Sequence, residues 1–235
     1  MKDKISVIIV GKSDTPANGR LFLALMTTLI DFQTGVNLNE TPIEYIAVDD
    51  YLQPNDRVKV IKQPKPFNYN ACLNAGAKVA TGNYLYFANN DLLFTPGALD
   101  ELVKQMKRHR LGSASAICPK AHAATKTRAG VMISYNVGTH FTGWGFMLTR
   151  ATYEAIDGLK TNCPFYCADN ETAEQLKAAH INHGLVKSAV IKHVGQQTQK
   201  GLDSATFFEY TRESVIKFNK LYGANIFNLN PENKN

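Results

Sequence analysis

Tyr69-Asn-Ala-Cys-Leu-Asn-Ala-Gly-Ala-Lys-Val-Ala-Thr-Gly-Asn-Tyr-Leu-Tyr-Phe-Ala-Asn-Asn-Asp91 reads as a helix, a glycine stop and an apolar strand that runs straight into two amides and an acid. The helix covers Tyr69 to Val79 and is closed by Gly82, and the strand covers Tyr84 to Ala88. Asn and Asp at a strand end favour turns, because their side chains bond the local backbone. The same residues carry chemistry: Asp91 could hold a divalent cation, and Asn89 could hydrogen-bond a sugar hydroxyl.

Upstream the pattern repeats. Ile5-Ser-Val-Ile-Ile-Val10 is almost wholly apolar, as in a strand buried on both faces of a parallel sheet. A polar loop from Gly11 to Gly19 follows, then Leu21 and Leu25 at helical spacing. Ile43 to Val48 is a second strand, stopping at Asp49-Asp50, and Val58 to Ile61 is a short one. Downstream, Pro96 opens a helix that runs to about Arg108. Strand and helix in alternation imply right-handed βαβ units. Ligands of such sheets sit beyond the carboxyl ends of the strands, where these polar clusters lie.

After residue 110 the order changes. Ser113 to Cys118, Gly130 to Ser134 and Gly145 to Thr149 are short strands, and Thr172 to Ala179 is helical. Val186 to Lys192 is a strand that ends at His193. Phe207 to Tyr222 is an amphipathic helix with Phe208, Val215, Phe218 and Leu221 on its inner side, and the rest is a tail. No linker forces two domains, so one domain over 1–235 is expected, with halves at 1–110 and 111–223 and a tail at 224–235.

Composition bounds the class. Of 235 residues, 44% are hydrophobic and 20% charged, which excludes disordered and collagen-like chains. Lys plus Arg is 26 against 20 acids, a net +6 that permits a polyanionic partner without requiring one. Apolar runs such as Ile5 to Val10 fall far short of the roughly 20 residues of a membrane span. The start lacks the features of a signal peptide. The 4 cysteines show no CxxC spacing, so reduced thiols in a cytoplasm are expected. There is no GxGxxG, no P-loop and no HExxH. Bound phosphates would therefore need another neutralising group, such as a metal on a carboxylate.

Four more features have two readings each. Asp49-Asp50 is a strand-end turn, or a pair of carboxylates that accept from a base or a ribose. His193 is a structural histidine or a metal ligand. Asp169 is the N-cap of a helix, a base that takes a proton from a substrate hydroxyl, or both. Residues 104–128 carry Lys104, Lys107, Arg108, Arg110, Lys120, Lys126 and Arg128 and no acid. That run is a solvated surface or a docking face for nucleic acid.

The combination resembles family 2 glycosyltransferases, which have the GT-A fold. Ser6 to Val10 resembles their first strand and Val48-Asp49-Asp50 their "VDD" strand end. Phe67-Asn-Tyr-Asn-Ala-Cys-Leu-Asn74-Ala-Gly76 and Ala80 to Asp91 resemble the stretch that leads to the "DxD" signature, here the "NND" variant of rhamnosyltransferase-like members. Thr142-Gly-Trp-Gly-Phe-Met-Leu-Thr-Arg150 resembles the acceptor-side strand, Ile191-Lys-His193-Val-Gly195 the "HxG" element, and Phe207 to Gly223 the closing aromatic helix. The implied architecture is α/β, a mostly parallel Rossmann-like central sheet flanked by helices with a smaller acceptor-side β region.

The resemblance also implies roles. Gly11, Asp49, Asp50, Asn70, Asn74, Asn89 and Asn90 would bind the nucleotide sugar. Asp91 and His193 would hold Mn²⁺ or Mg²⁺ at the diphosphate, and Asp169 would be the base of an inverting transfer, with Glu171 in reserve. The donor would be a nucleoside-diphosphate sugar. The acceptor would be a surface-glycan precursor, or a hydroxymethylated base in duplex DNA docked on residues 104–128. Specificity would lie in loops 119–145 and 194–206. The chain departs from the family where Gly11-Lys-Ser-Asp14 replaces proline-threonine-tyrosine-asparagine, and where Ala168-Asp-Asn-Glu171 replaces "EDxD". A nucleotidyltransferase would want a glycine-rich basic loop after strand one, of which Gly11-Lys12 is a faint match. A non-catalytic binding protein would bind nucleotide and never transfer the sugar.

Overall fold

The computed structural model describes residues 3–33, 42–123, 130–195 and 204–226. Strand β1 (Ile5–Val10) is buried at every residue. Its side chains alternate between two cores: Ile5, Val7 and Ile9 join Leu25, Leu102 and Met106, while Ile8 and Val10 join Leu73 and Leu176. Both faces of the sheet are thus covered, which is why the strand is apolar without alternation.

Helix α1 (Pro16–Gln33) leads to β2 (Ile43–Val48), parallel to β1 with Val10 opposite Val48. Strand β3 (Val58–Ile61) extends that edge. Helix α2 (Tyr69–Val79) is capped by Asn68, whose side chain accepts from the Ala71 amide, and crosses to β4 (Tyr84–Asn89). There Asn89 lies level with Val10. Next come β5 (Leu92–Phe94), α3 (Ala98–His109), β6 (Ser113–Ile117), β7 (Val131–Ile133), β8 (Gly145–Thr149), α4 (Arg150–Ala155), α5 (Ala168–Ala178), β9 (His183–His193) and α6 (Ser204–Tyr222). The sheet order is β3-β2-β1-β4-β8-β6-β9-β5, with β7 also on β9. Strand β8 is antiparallel to both β4 and β6, and so joins the two halves of the chain in one sheet.

The sequence reading misses β5 and α4, which are too short to carry a period of their own. It also starts α5 late, at Thr172. The helix begins at Ala168, because Cys167 takes a left-handed φ of 62° and turns the chain before Asp169. Asp169 is therefore inside the first turn and is not the cap. Strand β9 begins at His183, whose ring packs on Phe141 with centroids 4.7 Å apart. On α6, Val215 and Phe218 are buried but Leu221 is 51% exposed. The Phe208 side chain, the tail beyond 226 and loop residues 196–203 lie outside the described residues.

One carboxylate ties the amino ends of three strands together. Glu44 on β2 accepts from Ser6 Oγ (2.6 Å) on β1 and from the Thr81 amide (2.6 Å) before β4, with Lys4 and Lys59 within 3.4 Å. Burial alone would raise its pKa, but these donors outweigh burial and lower it from 4.5 to about 2. Such a shift contributes on the order of 3 kcal/mol of stability. It is present above pH 4.5 and lost as pH falls through about 2. Glu44→Gln is expected to lose most of it at pH 7 and to flatten acid unfolding over that window, read by denaturant titration at several pH values.

Candidate active site

Four strand ends converge above the sheet. Gly11 follows β1, Asp49 follows β2, Asn90 and Asp91 follow β4, and His193 closes β9. Strand β5 pairs antiparallel with β9, Leu92 opposite His193, and the Val194 amide donates to the Asp91 carbonyl (3.0 Å). This pairing brings His193 Nε2 to 3.3 Å from Asp91 Oδ1. Asp91 is 5% exposed, and Oδ1 accepts no hydrogen bond: the imidazole is near but not aligned to donate.

A buried carboxylate oxygen without a donor is costly unless something positive meets it. A hard divalent cation fits that oxygen, and an imidazole nitrogen beside it completes a two-ligand set. Among the described residues no group of three or more His, Cys, Asp or Glu could hold a metal. Further ligands would have to come from substrate phosphates and water, the usual arrangement for Mg²⁺.

Asn90 is 3% exposed and its Nδ2 is also unpartnered. A Cβ added to Gly11 would stand 3.2 Å from that nitrogen and 3.2 Å from Asp49 Oδ2. The glycine thus keeps clear a position beside that nitrogen that a Cβ would crowd. Asn89 Oδ1 is 2.7 Å from the hydroxyl of Tyr69, which also lies 3.3 Å from the Gly143 carbonyl. With its oxygen taken by the closer contact, Asn89 has its NH₂ left to offer a ligand.

Gly143-Trp144 closes the other side. The Asn89 amide donates to the Trp144 carbonyl (2.9 Å), and the Trp144 ring stacks on His193 at 5.3 Å and 17°. A Cβ on Gly143 would be 2.4 Å from Asp169 Oδ2, so only glycine lets this loop lie against that carboxylate. Asp169 accepts from the Asn170 amide, but burial dominates and raises its pKa above the ordinary carboxylate value. Burial first, then the charges of Asp169 and Asp91, push the Tyr69 hydroxyl pKa up.

The pattern of the family described as Glycosyl transferase family 2 matches residues 42–173, more than half of the chain. The chain belongs to glycosyl transferase family 2. It is similar to the O-antigen biosynthesis protein RfbC of Myxococcus xanthus, 33% identical over 113 residues. That match covers 47% of this chain and only 8% of the relative's length. In fold, the family 2 chain is similar to GalNAc-T7 with UDP, GalNAc and Mn²⁺ (TM-score 0.68, 12% identity, 92% of this chain and 48% of that one). It is similar to the mannosyltransferase PcManGT of Pyrobaculum calidifontis with GDP-Man and Mn²⁺ (0.64, 14%, 95% and 65%). It is also similar to a mutant of Drosophila beta-1,4-galactosyltransferase 7 with manganese, UDP-Gal and xylobiose (0.56, 14%, 86% and 75%). The central sheet between two helical layers is that of the GT-A glycosyltransferases.

Not every residue singled out in this family 2 sequence faces the site. Asp49 is 1% exposed and accepts from the amides of Ser13 (2.8 Å), Tyr51 (2.8 Å) and Leu52 (3.2 Å), so it holds the loops after β1 and β2. Asp50 turns to Lys65 (2.5 Å) and the Gln63 amide, and the ammonium and that amide keep its carboxyl below the usual range. The side-chain amides of Asn70 and Asn74 are engaged by backbone groups. The Asn70 amide donates to the carbonyls of Lys160 (2.7 Å) and Ala168 (3.1 Å), and Asn74 bonds both backbone groups of Leu159. They fasten α2 to the loop that delivers Asp169. Glu171, the reserve base, is fully buried, with its oxygens on Asn162, the Cys163 amide and Tyr222.

The basic segment is divided. Lys107 pairs with Asp3 at the amino end of β1, while Lys120 follows the carboxyl end of β6, the end that faces the site. Lys126 and Arg128 lie outside the described residues. Tyr69, Trp144 and Gln63 were missed. Gln63 donates to the Gly11 carbonyl (2.7 Å) from a polar run after β3 that carries no motif. No helix among the described residues is long and apolar enough to cross a membrane.

Proposed function

We propose that this chain transfers a sugar, with inversion, from a nucleoside-diphosphate sugar to a hydroxyl of an acceptor glycan, with Mn²⁺ or Mg²⁺ held by Asp91 and His193. The unpartnered, buried Oδ1 of Asp91 beside His193 Nε2 carries the reading. When bound, the cation would offset charge on the departing nucleoside diphosphate. Asn90 Nδ2, which has no partner, and the side-chain NH₂ of Asn89 would donate to oxygens of the donor. Asp169 takes the acceptor hydroxyl proton as that oxygen bonds the anomeric carbon. The bond from carbon to the phosphate oxygen breaks, and its electron pair leaves with the diphosphate. Asp169 suits the base role better than Glu171, whose oxygens are already engaged by Asn162, the Cys163 amide and Tyr222.

Several observations support a glycan acceptor. Phe67 and Phe165 make an aromatic pair, centroids 6.4 Å apart, near the loop that carries Asp169. The relative in Myxococcus xanthus is named for O-antigen biosynthesis, and the Drosophila structure holds xylobiose. No observation favours duplex DNA. We place the reaction in a cytoplasm, a reading supported by four cysteines that are free and buried. The two halves, 1–110 and 111–223, would act as one catalytic unit with the donor on the first and the acceptor on the second.

Tyr69→Phe removes the hydroxyl between Asn89 and Gly143 and frees the Asn89 amide to rotate. It is expected to raise the donor KM about tenfold, at a stability cost of about 1–3 kcal/mol, read by initial rates and chemical denaturation. The function itself is tested by thermal stabilisation with UDP, GDP, dTDP, CMP and ADP, each with and without Mn²⁺. A metal-dependent rise with one diphosphate, followed by transfer from the matching sugar donor, is the expected result. No rise with any of them overturns the reading in favour of a non-catalytic protein.

A further inference from the structure

We infer that Trp144 is the positioning residue for His193, holding the imidazole at the angle that faces Asp91, and that its indole reports occupancy of the cation site. The inference rests on the metal-dependent reading above. The backbone of His193 is fixed by its pairing with Leu92 and by the bond from its own amide to Cys118 Sγ (3.4 Å). Neither sets the rotation of the ring about its side-chain bonds. The face of Trp144 does: the two rings are stacked nearly parallel, 17° apart, with centroids at 5.3 Å. In that orientation Nε2 lies 3.3 Å from the unpartnered Asp91 oxygen. A histidine that ligates a metal usually has its ring orientation fixed by a hydrogen bond from its other nitrogen, and loss of that partner typically costs ten- to a hundredfold in metal affinity; here the stack on Trp144 takes that orienting part.

The placement of Trp144 is itself determined. Its carbonyl accepts the Asn89 amide at the end of β4, and its neighbour Gly143 lies against Asp169. Two adjacent residues therefore connect the imidazole, the strand end with the two amides, and the base. A ring that turns on losing its stack would disturb the ligand first and the base through the shared backbone.

Trp144 is the single tryptophan of the chain, so its fluorescence has one source. The test titrates the whole protein with Mn²⁺, alone and with UDP or GDP, following free Mn²⁺ by electron paramagnetic resonance and the indole by emission. Wild type, Trp144→Phe, Trp144→Ala and His193→Ala are compared, with far-ultraviolet circular dichroism to verify folding. The expected result is quenching of wild-type emission as Mn²⁺ is taken up, and none in His193→Ala. Trp144→Ala should bind Mn²⁺ about tenfold or more weakly, and Trp144→Phe, which keeps an aromatic face, within about threefold of wild type. If wild type binds Mn²⁺ and Trp144→Ala binds it equally well, the inference fails while the metal reading stands. If Trp144→Phe is as weak as Trp144→Ala, stacking is not the cause and the inference also fails. If wild type takes up no Mn²⁺ under any condition, the metal reading fails and this inference with it.

Discussion

Asp169→Asn is expected to lower sugar transfer by about a thousandfold while leaving nucleotide binding within about twofold. Removing a positioned general base costs on the order of 10²–10⁴ in rate, and asparagine cannot accept the proton. The change is nearly isosteric, so the contact with Gly143 and the bond from the Asn170 amide can persist. Burial raises the Asp169 pKa from 3.8, so the parent's acid limb of kcat should lie above the ordinary carboxylate range. Activity rises with pH there, because only the ionised form takes a proton, and that limb should vanish from the residual rate of the variant. Stability gives an independent sign. A carboxyl whose folded pKa is raised destabilises the fold once pH exceeds its unfolded value. At pH 7 the variant should therefore unfold no sooner than the parent. Transfer within tenfold of the parent would remove Asp169 from the base role.

Asp91→Asn is expected to abolish metal-dependent stabilisation by the nucleotide. At a nucleotide concentration about 100 times Kd, the parent gains about 2.7 kcal/mol in the presence of Mn²⁺. The amide offers one neutral oxygen where a buried carboxylate oxygen stood, so most of that gain should disappear. Without ligand the order reverses. The parent holds a buried, unpartnered oxygen at Asp91 and a buried, unpartnered amide at the neighbouring Asn90. Relieving the first should leave the unliganded variant at least as stable as the parent, the common trade between activity and stability. Thermal scans of both proteins with and without Mn²⁺ and nucleotide read both effects together. Retention of the full metal-dependent gain in the variant would move the cation elsewhere.

Much of this was legible in the chain. Strands β1 and β4 could be read because each is an apolar run buried on both faces, and Asp91 and His193 could be picked out as candidates because each stands at or just past the end of a strand. Other parts depend on contacts between distant residues, which no local period records. Strand β5 is three residues long and exists because β9 is there to pair with it. Glu171 and Asp169 are two residues apart in one helix turn, and only the fold decides that one faces inward to Tyr222 and the other toward Gly143. Asn70 and Asn74 look like ligands in a motif, yet their amides bond the backbone of a loop some ninety residues away. Tyr69 reads as an ordinary first residue of a helix. Only the fold brings its hydroxyl to Asn89 at the end of β4 and to the Gly143 carbonyl, 74 residues away.

The pairing of β5 with β9 joins the acid and the imidazole from opposite halves of the chain. Closing so long a loop is slow relative to forming the local βαβ units, so this pairing is expected to form late. Until it forms, Asp91 has no imidazole beside it. On the proposed roles, uptake of the cation would require that long-range pairing, so metal binding would report completion of the fold as well as readiness to react.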